Sequence, residues 1–145
     1  MTRDEALAIV REYVKNENLI KHMYCVEATM RFYAEKLGED VETWGQLGLL
    51  HDFDWEVHPT LEEHPVKGAP ILRERGLDEE LIQDILSHGV DTGVLDMTRH
   101  AKLIESRQVL MTDGRQGLME PGQIRGVQQF LKKHIGQEPT SASAR

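Results

Sequence analysis

Apolar positions recur along this chain at helical rather than strand spacing. Ala6, Ile9, Val10, Tyr13 and Val14 share one face of a stretch from Asp4 to Val14, with Thr2 or Asp4 able to cap its start. Asn16 and Asn18 mark a turn or cap before a longer helix from about Leu19 to Leu37, ended by Gly38. His22, Val26, Met30, Tyr33 and Leu37 form its stripe. Asp40 can cap a third helix from Val41 to about Asp54, where Trp44, Leu47, Gly48 and His51 recur on one face. Gly45 and Gly48 weaken this helix locally but allow another to approach closely. A loop over Trp55 to Glu63 leads to a helix from Pro65 to about Arg75, bent by Pro70 and ended by Gly76. Leu77 and Asp78 have the character of a hydrophobic staple and N-cap for a helix ending near His88, its face made by Leu81, Ile82, Ile85 and Leu86. Two more helices are expected, from about Arg99 to Gly114 and from about Gln123 to Ile135. The pattern predicts an all-α bundle of about six or seven helices: a single domain over residues 1–136 and a loose tail over 137–145.

The 145 residues carry 25 acidic and 17 basic side chains, a formal charge of −8. Extended nucleic acid is a poor partner for such a surface, because backbone binding needs basic residues that release counterions. A small anion is still admissible if metal ions reverse the local sign. No apolar run approaches a membrane span, and MTRDEALAIV is amphipathic instead of resembling a signal peptide; no membrane partner is expected, and the cytoplasm is the default location. The single cysteine, Cys25, lies in an apolar part of the pattern and reads as a small buried hydrophobe. No internal repeat, glycine-rich phosphate loop, CxxC motif or heptad array occurs, so the pattern carries no signal for an oligomeric state.

Chemistry enters at Leu47 to Asp54, LGLLHDFD, where an apolar helical face ends on an adjacent imidazole and carboxylate. A charge at the edge of a buried face is costly unless something cationic meets it, and a divalent metal uses both donor types. His22 falls on the apolar stripe of the preceding helix, His64 stands at a helix entrance before Pro65, and His88 closes a helix before Gly89. Asp113 comes near the end of the sixth predicted helix. Singly, each has a plainer reading: His22 as a hydrogen-bonded core imidazole, His88 as a helix cap, and His58, Asp91 and Asp96 as loop residues.

Taken in order, His22, His51 with Asp52, His64, His88 and Asp113 resemble the HD superfamily of metal-dependent phosphohydrolases. The segments KHMYCVEATM, GLLHDFDW, EEHPVKGAPIL and LMTDGRQGLM are similar to those of small single-domain bacterial HD hydrolases, and the correspondence runs from roughly Asn18 through Met119. The resemblance implies a compact HD-domain bundle in which His22, His51, Asp52 and Asp113 bind one metal. His64 and His88 would complete a second site, with Asp52 bridging. It implies one or two divalent ions, with Mn, Fe, Mg, Zn, Co or Ni compatible, and hydrolysis of a small phosphoester, such as a nucleotide, by metal-activated water. Because His64 and His88 lie at helix ends, theirs is expected to be the weaker site.

Two departures from family patterns narrow the activity. The Gly and Lys extension of cyclic-dinucleotide phosphodiesterases is replaced here by Phe53, Asp54 and Trp55. Some nucleotidases place a catalytic Glu three residues after the metal-binding Asp, where this chain has Trp55. Asp52 is the central expected catalytic residue, with Asp54 or Glu56 as geometric substitutes for that Glu. Lys67, Arg107 and Arg115 are candidate anion contacts, Lys67 also being placed among the catalytic groups. Alternatives are a regulatory or metal-binding HD domain with little turnover, or a diiron oxygenase built on the same ligands.

Overall fold

The structure is a computed structural model that describes residues 1–89. Its described residues are all-helical, with five helices and no strand: α1 (Arg3–Tyr13), α2 (Glu17–Leu37), α3 (Val41–Leu50), α4 (Gly68–Glu74) and α5 (Glu79–Ser87). Five is fewer than the six or seven expected of the whole chain. The helices expected over 99–114 and 123–135, the tail, and Asp91, Asp96, Arg107, Asp113 and Arg115 lie outside the described residues.

Short polar side chains set the starts of the helices. Thr2, not Asp4, caps α1: its hydroxyl accepts from the Glu5 N–H at 3.2 Å, while Glu5 accepts from the Thr2 N–H at 2.6 Å. Asn16 caps α2, Asp40 caps α3 through the Thr43 N–H, and Asp78 caps α5 through the Glu80 N–H. At the far end of α2, Gly38 takes φ +70°, a left-handed conformation that glycine adopts without a side-chain clash.

Helices α2 and α3 pack most extensively; α1 lies against α3, and α5 contacts both α3 and α4. Their shared core includes Ile20, Met23, Met30, Trp44, Leu47, Leu50, Leu72, Ile82 and Ile85. Gly48 allows the close α2–α3 approach, since a Cβ there would stand 2.9 Å from the Glu27 backbone. Leu37, expected on the buried stripe, is instead 45% exposed at the last position of α2.

A polar network lies beside this crossing. Glu27, fully buried, accepts from Arg3 at 2.7 and 2.9 Å and from Arg31 at 2.9 Å, and Arg31 also reaches Glu42 at 2.6 Å. The cationic donors offset the desolvation of the Glu27 carboxylate and tie α1, α2 and α3 together.

Two boundaries differ from the sequence expectation. Helix α3 stops at Leu50 instead of Asp54, and the chain tightens into turns in which Phe53, Trp55 and Val57 donate to carbonyls three residues back. Phe53 is thereby buried and meets the Tyr13 ring edge-on at 5.4 Å. Helix α4 starts at Gly68 rather than Pro65, after turns that hold His64 inward, with a cis His64–Pro65 peptide. Pro70 then occupies the first turn, where its missing N–H removes no helical bond.

Candidate metal centre

Five side chains from four parts of the fold meet at one end of the α2–α3 pair. His22 comes from early α2, His51 and Asp52 from the end of α3, His64 from the turns before α4, and His88 from the C-cap of α5. Asp52 stands at their centre. Its Oδ2 lies 3.0 Å from His51 Nε2 and 3.3 Å from His22 Nε2, while its Oδ1 lies 3.2 Å from His64 Nε2 and 3.5 Å from His88 Nε2. The nitrogens also approach within each pair, at 3.3 Å for His22 and His51 and at 3.1 Å for His64 and His88. Two donor triangles therefore share one carboxylate, each with ligand atoms close enough to hold one ion.

The far side of the rings explains their orientation. His51 Nδ1 donates to the Gly48 carbonyl at 2.7 Å, His88 Nδ1 to the Ile85 carbonyl, and His64 Nδ1 to Asp54 Oδ1 at 2.7 Å. Committing Nδ1–H outward leaves the Nε2 lone pair of each neutral ring directed inward. When both rings are neutral, two such nitrogens at 3.1 Å have no hydrogen to share, and a cation between them relieves the contact. Metal bonds of about 2.0–2.2 Å separate neighbouring ligands by about 3.0–3.4 Å, close to the spacings seen here. The donor set thus fits divalent ions.

At His51 and Asp52 electrostatics point the same way. Burial pushes the His51 imidazolium pKa down and outweighs the attraction of Asp52, favouring the neutral ligating ring. Burial alone would raise Asp52, but His51 and the hydrogen bonds from the surrounding imidazoles hold its carboxyl well below the usual range. At His64 the balance is reversed: burial opposes the charge yet is outweighed by Asp52 and Asp54, which raise the ring to about 9, so an ion there must displace a proton.

A cleft of about 300 Å³ opens onto this cluster, lined among the described residues by Leu19, Asp52, Trp55, Leu61, His64, His88 and Gly89. Trp55 meets His64 edge-to-face at 5.0 Å, so the residue standing in place of a catalytic Glu forms part of the wall. The contributions of Leu19 and Leu61 had no signal in the helical pattern, because an apolar residue at a helix start or in a turn has no periodic face to mark it.

The other expected groups sit elsewhere. Asp54 is fully buried behind His64 and does not line the cleft. Lys67 is exposed and ion-paired with Glu63, one helical turn away. Glu56 accepts from the Lys15 and Asn16 N–H groups at 2.9 and 3.1 Å, fastening the α1–α2 link to the turn after Asp52. His58 lies outside both donor triangles.

The family model described as HD domain matches residues 19–108, more than half of the chain. The chain belongs to the HD domain family. No curated protein and no solved structure matches it. The matched span contains His22, His51, Asp52, His64 and His88 and ends before Asp113. HD domains are generally metal-dependent hydrolases that bind divalent ions. The two donor triangles of this HD domain are compatible with that property.

Proposed function

We propose that this HD domain is a phosphohydrolase that uses two divalent ions to cleave a small phosphoester, with a nucleotide as one candidate substrate. The observation carrying this reading is the division of Asp52, whose two oxygens face two different imidazole pairs. His22 and His51 would hold one ion with Oδ2, and His64 and His88 the other with Oδ1. When bound, such ions supply Lewis acidity: they lower the pKa of water towards neutrality and offset phosphoryl charge.

The chain's own contribution is preorganisation. Outward hydrogen bonds hold the His51, His64 and His88 rings in place before substrate arrives, so little reorganisation remains for the reaction itself. Trp55, Leu19 and Leu61 give the cleft an apolar wall that excludes water and accepts the organic part of the ester. No Lys or Arg lines the cleft among the described residues, and the bound ions would offset phosphoryl charge there.

The test is to strip the full chain of metal, restore manganese, magnesium, zinc or iron separately, and assay a phosphoester panel that includes nucleoside monophosphates. Phosphate release that depends on added metal supports the proposal. Oxygen uptake without phosphate release would favour the oxygenase alternative, and metal binding without turnover a regulatory role.

A further inference from the structure

We propose that Asp54 is a positioning residue: it holds His64 in its metal-ligating tautomer, in a space that exists because residue 68 is glycine. Asp54 has no exposed surface, and its Oδ1 accepts the Nδ1 hydrogen of His64 at 2.7 Å. Its own main chain is anchored, since the Asp54 carbonyl accepts from the Val57 and His58 N–H groups at 3.1 and 2.8 Å. The second oxygen, Oδ2, is buried with no hydrogen-bond partner among the described residues. It faces Gly68, where a Cβ would lie 2.5 Å from Oδ2 and 2.7 Å from Cγ.

Burying a carboxylate with one oxygen unpartnered is unfavourable, and a neutral acceptor would satisfy the same Nδ1–H. What the charge adds is basicity at the far nitrogen of the ring, the one that faces Asp52 and His88. The other two braced rings lean on neutral carbonyls, His51 on Gly48 and His88 on Ile85. Among the described residues, His64 alone of the three has a carboxylate behind it. Asp54 therefore strengthens the ion site of His64 and His88 and leaves that of His22 and His51 unchanged.

This inference rests on the reading of the cluster as a two-ion site, and the experiment separates the two. In the zinc-loaded full chain, long-range ¹H–¹⁵N correlations should show His64 with Nδ1 protonated and Nε2 metal-bound. Cobalt(II) titration followed by visible absorption should resolve two binding steps. Asp54→Asn keeps an acceptor for Nδ1 but removes the charge; it should weaken the His64/His88 step by about 10- to 100-fold and leave the other step in place. Gly68→Ala keeps every charge but displaces the carboxylate, and should weaken the same step selectively. Equal weakening of both steps in the folded variants, or of neither, would overturn the proposal. So would a zinc-loaded wild-type His64 protonated on Nε2, a measurement that does not depend on either variant folding. A wild-type chain that binds no metal would overturn the proposed function as well, whereas two ions bound with no selective effect would overturn only the role of Asp54.

Discussion

Asp52 Oδ2 lies 3.0 Å from the Nε2 of His51, its immediate neighbour in the chain, so two consecutive side chains aim at one point. Successive residues of a continuous α-helix point about 100° apart. The convergence occurs where α3 has ended at Leu50 and the backbone has tightened into three-residue turns. His51, the C-cap, still has right-handed helical dihedrals, φ −58° and ψ −32°.

Asp52 belongs to both donor triangles, and each histidine belongs to one. Asp52→Ala should therefore reduce the content of both ions, while His22→Ala and His88→Ala should each reduce it by one. Metal analysis by mass spectrometry after dialysis against trace metal distinguishes these outcomes, with circular dichroism verifying that helicity is kept.

The turn chemistry around His51 and Asp52 also shows what was legible in the sequence and what was not. The caps at Asn16, Asp40 and Asp78 and the stops at Gly38 and Gly76 are visible because each acts through its own local backbone. The apolar faces of α1, α2 and α5 are visible because burial repeats with the helical period. Asp54 as a brace was not, since it depends on His64, ten residues away, and on the gap at Gly68. Glu27 and Arg31 are spaced like an ordinary surface pair, and their burial follows from the close approach of α3.

That network makes a stability prediction. Glu27→Ala would leave Arg31 buried with only Glu42 as a carboxylate partner among the described residues, and Arg3 without its partner. Because Arg31 retains Glu42 and Arg3 is partly exposed, a loss of about 3 kcal/mol is expected, at the low end for breaking a buried pair. Urea denaturation of the metal-free chain measures it.

Gly48→Ala tests the α2–α3 crossing. The added Cβ would meet the Glu27 backbone, which cannot rotate away, so the helices must separate at a cost of about 1–3 kcal/mol. Since His22 and His51 ride on these two helices, affinity for the ion they share should fall too, as measured by the same metal titration.

A pH prediction follows from His64. Its pKa in the metal-free fold, about 9, lies above the usual 6.5. The resulting stabilisation is fully present below about 6.5 and disappears as pH rises through 9. The metal-free chain should therefore lose this contribution to its melting temperature between those limits. Metal binding displaces the same proton, so affinity at the His64/His88 site should instead rise about tenfold per pH unit over that window. Calorimetric titrations in buffers of different ionisation enthalpy read the released proton directly.

The bridging geometry of Asp52 is tested most directly by manganese(II) paramagnetic resonance on the metal-stripped full chain. With two equivalents bound, the ions on the two sides of one carboxylate should couple, replacing the six-line pattern of isolated ions with an exchange-coupled spectrum; Asp52→Ala should abolish that coupling. Saturation at one equivalent, or two equivalents giving only the six-line pattern of separate ions, would contradict the two-ion account.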